Sequence, residues 1–209
     1  EAARLFATSA NVAGRLERST GLVAEVLPHP PQALPYRSSP SQGFVLSASR
    51  LDRAKRIDLL LEAAAREPGF EVVIASDGPD RERLEEIARA RGLDGRVRFE
   101  GRVDAEELAQ LYATCSSVYY APVDEDFGMG PFEAFLSGKP VITTTDAGGP
   151  LDVVSDRETG LVVRPDAAEI GTAATWLREH EEEAAAFGRA GKALADEVTW
   201  DRAIARLFS

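Results

Sequence analysis

GFVLSASRLDRAKRIDLLLEAAAR, residues 43–66, joins an apolar run to a segment of helical period. Phe44–Ala48 does not alternate between apolar and polar residues, which is typical of a strand covered on both faces of a parallel sheet. Apolar residues then recur at i, i+3, i+4 and i+7, which gives a helix one apolar stripe made of Ile57, Leu60, Leu61 and Ala64. A strand followed by such a helix is half of a βαβ unit.

The same alternation continues along the chain. We predict strands at Phe44–Ala48, Val72–Ala75, Val97–Phe99, Val118–Ala121, Val141–Thr144 and Leu161–Val163. After the first helix, we predict further helices at Asp80–Arg91, Ala105–Ala113, Pro131–Ser137, Pro150–Ser155, Ala167–Glu179 and Glu182–Ala195. The pattern indicates an α/β fold with a doubly wound, parallel, six-stranded sheet.

The first forty residues differ from the rest. We predict a strand at Leu5–Ala7, a helix at Asn11–Arg18 and a strand at Val23–Leu27, and a proline- and serine-rich linker at residues 28–41. Such a piece is too small to hold its own core. We therefore divide the chain into the remnant of a preceding domain with its linker (1–40), one domain (41–195) and a C-terminal helix (196–209). For residues 1–35 we expect partial disorder, docking onto the domain, or self-association.

Composition excludes several classes of function. The 209 residues carry a formal charge of -11, which disfavours nucleic acid or an anionic membrane as the main partner. No apolar run approaches the roughly 18 residues that cross a bilayer. The single cysteine, Cys115, cannot close an intrachain disulfide, and His29 and His180 do not suggest a catalytic triad or a histidine metal site. A cytoplasmic location fits these features.

Cations cluster after the first strand, within seven positions: Arg50, Arg53, Lys55 and Arg56. In open α/β sheets ligands bind at the carboxyl ends of strands, where cations and helix N-termini favour phosphate. The alternative is a solvated surface with local pairs to Asp52 and Asp58. The spacing leaves both interpretations open.

A second cluster, Glu125–Glu133, follows the strand Val118–Ala121 and so lies at the same sheet edge. Gly128 and Gly130 allow a tight turn, and two carboxylates at one pocket rim can accept hydrogen bonds from vicinal hydroxyls of a sugar or ribose. The alternative is that Glu133 complements the helix dipole and Glu125 is a loop charge.

Two more glycine-bearing turns, Thr145–Pro150 and Ser76–Pro79, follow strands at this edge and present backbone donors. Together the turns indicate an extended anionic ligand. None is a Walker loop, and no GxGxxG follows the first strand, so a P-loop or a typical NAD site is disfavoured.

From about Gly43 to Leu207 the sequence resembles the retaining glycosyltransferases of family 4, which have the two-domain GT-B fold. Glu125–Glu133 matches the family's E-x7-E motif, and the match continues to Gly148-Gly149-Pro150. Ser49-Arg50-Leu51 with Lys55, and Asp77-Gly78-Pro79, also match, whereas Ser76 and Asp152 depart from the usual pattern. The resemblance implies a Rossmann-like, donor-binding C-terminal half of a GT-B fold.

The resemblance also implies roles for individual residues. Arg50 and Lys55 would hold the donor diphosphate and Glu125 would contact the transferred sugar, and these three are the catalytic candidates. Glu133 would bind the ribose hydroxyls. The remaining donor-binding candidates are Phe127, Gly128 and Met129, whose backbone would contact sugar and phosphate, and Gly78 in a turn. The loop near Arg102 and Val103 would lie beside the base.

The implied reaction is transfer of a hexosyl group from a nucleoside diphosphate sugar to a hydroxyl acceptor, with retention and without a metal or other cofactor. Asp124-Glu125-Asp126 only superficially resembles a DxD metal motif. The acceptor, a sugar or lipid-linked sugar, would bind mainly to an N-terminal domain, so we expect this chain to bind donor but transfer poorly alone. The full-length enzyme would be cytoplasmic, at most peripheral to the inner face of the membrane. The alternatives are a non-catalytic nucleotide-sugar-binding module and a GT-B-fold sugar-nucleotide epimerase.

Overall fold

A computed structural model describes residues 4–208 and contains two parallel sheets. The smaller sheet pairs β1 with β2, and the larger one has the order β5-β4-β3-β6-β7-β8. The predicted fold class is confirmed. The strands are β1 Phe6–Ala7, β2 Glu25–Val26, β3 Phe44–Ser47, β4 Glu71–Ile74, β5 Val97–Phe99, β6 Ser117–Tyr119, β7 Val141–Thr144 and β8 Gly160–Val163.

Helices cover both faces of the larger sheet, and within 4–208 none is long and apolar enough to cross a membrane. The stripe predicted for the first helix of the domain is buried, since each of its four residues is at most 1% exposed. The helices are α1 Ala10–Thr20, α2 Ile57–Arg66, α3 Arg81–Ala90, α4 Ala105–Thr114, α5 Gly130–Leu136, α6 Ala167–Glu179, α7 Glu181–Asp196 and α8 Trp200–Leu207.

One predicted helix, Pro150–Ser155, is wrong. The chain forms a 3-10 turn at Gly149–Asp152 and then leaves the helical path. The Thr159 hydroxyl donates to the Val153 carbonyl at 3.0 Å and accepts from the Ser155 amide at 2.9 Å. These side-chain bonds replace the backbone bonds that a continuing helix would need.

The strand order reverses between β3 and β6, which are adjacent although three α-helices and two strands separate them in sequence. Val45 pairs with Ser117 and Leu46 with Val118. A reversal of this kind leaves a crevice at the carboxyl ends of the two strands, because the crossovers leave on opposite faces. The two loops that border this crevice are the cation-rich turn after β3 and the Glu125 loop after β6.

Of the three expectations for residues 1–35, the structure shows docking for the described part. β1, α1 and β2 form a small unit whose helix packs on the Gly149–Asp152 turn. Glu25 of β2 pairs with both Arg4 and Arg206 at 2.9 Å, which joins this unit to α8, and these hydrogen bonds hold the pKa of Glu25 down at about 2. Residues 1–3 lie outside the described residues. Self-association and the domain boundaries stay predictions.

Helix α7 packs so closely on the turn after α5 that one position tolerates only glycine. A Cβ at Gly188 would lie 2.0 Å from the Gly138 carbonyl oxygen, whereas a Cβ at Gly14 in α1 would meet only the flexible end of Arg18, at 3.1 Å. We expect Gly188→Ala to lower the free energy of unfolding by about 2 kcal/mol or more because the helix must shift. Gly14→Ala, the matched control, should not destabilise, since alanine favours helix by roughly 1 kcal/mol. Urea unfolding of both variants checks this, and equal stabilities would contradict it.

Candidate functional site

A cleft of about 380 Å³ occupies the crevice between the loops that follow β3 and β6. The structure brings seven of the predicted site residues together along its walls: Arg50, Lys55, Glu125, Phe127, Gly128, Met129 and Glu133. Both cationic and both carboxylate candidates are therefore on one surface.

The centre of the cleft is an ion pair between Lys55 and Glu125. The Lys55 side chain is 18% exposed and that of Glu125 is 24% exposed, so water screens the pair only in part. The Tyr120 hydroxyl lies 3.4 Å from both the Lys55 ammonium nitrogen and a Glu125 carboxylate oxygen. Burial, reinforced by the Glu125 charge, raises the pKa of Tyr120, so its phenol remains a neutral partner to both.

The ring of Tyr120 explains the two glycines of the E-x7-E segment. A Cβ at Gly130 would lie 2.4 Å from the Tyr120 ring, and one at Gly128 would lie 2.8 Å from it. Gly128 also has a φ of 83°, which L-residues other than glycine rarely adopt. The glycines therefore let the loop backbone pass directly over the ring, and this brings Glu125 to the cleft.

Glu133 is in the first turn of α5 and faces the cleft from a half-buried position. Burial raises its pKa, and a hydrogen bond from the Tyr112 hydroxyl, at 2.7 Å from a carboxylate oxygen, opposes that rise. Because Tyr112 occupies one acceptor position only, the carboxylate keeps others for hydroxyls of a ligand.

The four cations of the first turn have different surroundings. Arg56 is structural, since it binds Asp146, the Thr144 hydroxyl and two carbonyls near the end of β6. Arg53 lies 3.7 Å from Asp80. Arg50 is exposed and has no ion pair among residues 4–208, and Lys55 pairs within the cleft. The solvated-surface alternative fits only in part: Arg53 is exposed but pairs with Asp80, Arg56 is largely buried and pairs with Asp146, and within residues 4–208 neither pairs with Asp52 or Asp58.

Three predicted donor-binding residues do not line the cleft. Arg102 is exposed, and Val103 lines a separate pocket of about 400 Å³ beside α4. A Cβ at Gly78 would lie 2.2 Å from the Leu51 carbonyl oxygen, so this glycine lets the loop after β4 support the backbone next to Arg50. The donor-binding roles of these residues stay predictions.

The sequence did not single out several residues that the structure places in the cleft. Tyr112, Tyr120 and His29 line it, and the His29 ring lies 5.0 Å from that of Phe127. Tyrosine at the end of a buried strand was the available signal for Tyr120, because a buried phenol needs a polar partner. In the described part of the chain, no group of three or more His, Cys, Asp or Glu side chains is arranged to hold a metal ion.

The model of the glycosyl transferases group 1 family matches residues 35–194, which is most of the chain. The chain belongs to the glycosyl transferases group 1 family. Among curated relatives of this group 1 chain, D-inositol 3-phosphate glycosyltransferase of Mycolicibacterium smegmatis is 31% identical over 175 residues, covering 80% of the chain and 39% of that protein. Sucrose synthase of Thermosynechococcus vestitus is 28% identical, with 88% of the chain but only 26% of that protein covered.

Solved structures give the same fold. Sucrose-phosphate synthase from Thermosynechococcus elongatus matches with a TM-score of 0.88 and 26% identity, over 99% of the group 1 chain and 57% of that structure. Anabaena HepE in complex with UDP and glucose matches with a TM-score of 0.87 and 22% identity, over 99% of the chain and 62% of HepE. The prediction that the chain folds as the Rossmann-like half of a GT-B architecture is confirmed. The chain spans 39% of the inositol phosphate glycosyltransferase and 26% of the sucrose synthase, well under half of each.

The hydrogen bond from Tyr112 to Glu133 predicts the direction in which the pKa of Glu133 will change when the bond is removed. It favours the ionised form of Glu133, so its removal in Tyr112→Phe should raise the pKa of Glu133 further above the ordinary glutamate value. NMR titration of the Glu133 carboxyl carbon measures this. Tyr36→Phe is the control, because the Tyr36 hydroxyl bonds to the Gln32 carbonyl and not to Glu133. An unchanged or lowered pKa in Tyr112→Phe would contradict the assignment.

Proposed function

We propose that this chain binds a nucleoside diphosphate sugar in the cleft and serves as the donor-binding part of a retaining, metal-independent hexosyltransferase. The observation that carries the proposal is the convergence of Arg50, Lys55, Glu125 and Glu133 on one crevice at the switch in strand order. Membership of the glycosyl transferases group 1 family supports it, and gives the epimerase alternative no support.

The diphosphate would lie between Arg50 and Lys55. Arg50 has no ion pair among the described residues, so its guanidinium is available to two phosphate oxygens. Lys55 is already paired with Glu125, and a diphosphate would compete for its ammonium group. In a chain with a formal charge of -11, such a local pair of cations is what an anionic ligand requires.

The two carboxylates would hold hydroxyl groups at either end of the donor. Glu125 emerges from the loop at the end of β6 and would accept hydrogen bonds from the transferred sugar, while Glu133 would bind the ribose. The backbone of Phe127, Gly128 and Met129 passes between them along the cleft wall. Gly78, Arg102 and Val103 would contribute only if the donor reached beyond the cleft that this structure shows.

The chemical step would break the bond between the anomeric carbon and the donor phosphate, leaving the electron pair on the departing diphosphate. Arg50 and Lys55 stabilise the charge that develops there, which lowers the barrier because the interaction strengthens in the transition state. The acceptor oxygen bonds to the anomeric carbon on the same face and passes its proton to a departing phosphate oxygen. This gives retention without a separate protein base.

The relatives suggest which donors to test first and support a separate place for the acceptor. HepE was solved with UDP-glucose as well as with UDP, so these two ligands are the first probes for this chain. The chain spans 39% of the inositol phosphate glycosyltransferase, and we propose that the acceptor binds mainly to an additional domain. Slow transfer by this chain alone stays a prediction.

Binding measurements on single variants test the proposal. We expect Arg50→Ala and Lys55→Ala each to weaken UDP binding about tenfold, since each removes a charged contact with phosphate. Glu125→Ala should strengthen UDP binding, because it frees Lys55 from a competing carboxylate, but abolish the extra affinity for UDP-glucose. Arg66→Ala, at the opposite end of α2 from the cleft, is the matched control. Calorimetry with both ligands gives the affinities, and no binding of any nucleoside diphosphate or its sugar would refute the proposal.

Metal independence has its own test. Because Arg50 and Lys55 supply the positive charge at the diphosphate, UDP-glucose affinity should change less than twofold between a chelator and millimolar Mg²⁺ or Mn²⁺. A loss of tenfold or more in the chelator, restored by either cation, would show that a metal bridges donor and protein.

A further inference from the structure

The loop that carries Glu125 is held on one side by the segment that follows β7. The Asp124 amide donates to the Asp146 carbonyl at 3.0 Å, and the Glu125 amide donates to the Ala147 carbonyl at 2.9 Å. The Glu125 carbonyl accepts from the Gly149 amide at 2.7 Å. These bonds belong to the six-stranded domain itself, but they fix only one edge of the loop.

The other edge is held by the start of α1, from the small N-terminal unit. The Asn11 side-chain amide donates to the Asp124 carboxylate at 2.9 Å and to the Glu125 carbonyl at 3.0 Å. The Ser9 hydroxyl donates to the Asp126 carbonyl, and Arg15 pairs with the Asp126 carboxylate. Three successive loop residues, with Glu125 in the middle, therefore have partners in α1 or at its N-cap.

The fit between α1 and the loop is tight. Ser9 is fully buried, and a Cβ at Gly148 would lie 2.7 Å from both the Asn11 amide nitrogen and the Glu125 carbonyl oxygen. Asp124 has a φ of 45°, in the left-handed region, which aspartate enters more readily than most residues with a side chain but still at some cost in free energy. The Asn11 bond to the Asp124 carboxylate is one restraint that holds it there.

We propose that Asn11 is a positioning residue of the donor site: by bridging the Asp124 side chain and the Glu125 backbone, it fixes where the Glu125 carboxylate meets the sugar. This rests on the proposed role of Glu125. Asn11 itself does not line the cleft, so it acts through the loop rather than by touching the donor. The N-terminal unit would then contribute to the geometry of the donor site.

Asn11→Asp is the sharpest variant, because it keeps the size of the side chain, loses both donated bonds and places a carboxylate beside Asp124. We expect UDP binding to change less than twofold and the gain in affinity from UDP to UDP-glucose to fall about tenfold. Adding Asp124→Asn should restore part of that gain, since the new amide can donate to the introduced carboxylate. Ser19→Ala, in the last turn of α1, is the control, because its hydroxyl donates to the Leu16 carbonyl within the helix.

The outcomes separate this inference from the function on which it rests. If the wild-type chain shows no gain for any nucleotide sugar over its nucleotide, the role of Glu125 fails and the positioning role fails with it. If the wild-type gain persists undiminished in Asn11→Asp, only the positioning role is overturned. If UDP and UDP-glucose lose affinity by the same factor, with no recovery in the double variant, Asn11 merely stabilises the fold and the inference is also wrong.

Discussion

Parallel pairing of β3 with β6 is the constraint on which the site depends. The register places Leu46 beside Val118, so the turns after both strands emerge at one edge of the sheet. Lys55 and Glu125 are seventy positions apart in the chain, yet this pairing brings them into contact. No local sequence preference achieves that. The positions of the cleft, its cations and its carboxylates all follow from this reversal of strand order.

The Lys55–Glu125 pair acts differently when the cleft is empty and when a ligand occupies it. Each charge offsets the other while both are partly desolvated, and removal of either partner leaves an uncompensated charge. A diphosphate that takes over Lys55 releases the Glu125 carboxylate to accept hydroxyl hydrogens. Tyr120 stays within 3.4 Å of both groups and its neutral hydroxyl can follow either change of partner. In the proposed function, the pair would therefore couple the recognition of phosphate to that of the sugar.

The sequence predicted the features that depend on how apolar residues recur along short stretches of the chain. Strand positions and the stripe of α2 follow from residues close together in the chain, as does the glycine turn before α5. Its failures have two causes. The contact of Gly78 with Leu51 and the bonds from Asn11 each join segments far apart in sequence, and the Tyr120 ring contacts glycines eight and ten positions away across a turn. Periodicity carries no information about such contacts, and in the 150–155 segment a threonine hydroxyl overrode the helical pattern.

Composition marks residues 28–41 as a linker, but contacts at three places hold the linker and the N-terminal unit against the rest of the protein. The Lys139 ammonium, from the turn after α5, donates to the Ser39 carbonyl at 2.9 Å. Glu25 holds Arg206 of α8, and α1 holds the Glu125 loop. Any displacement of the unit must break the last of these contacts or carry the loop with it. The same hydrogen bonds join the N-terminal unit to the domain and hold the loop of Glu125. A movement of the unit relative to the domain would therefore change the geometry around Glu125.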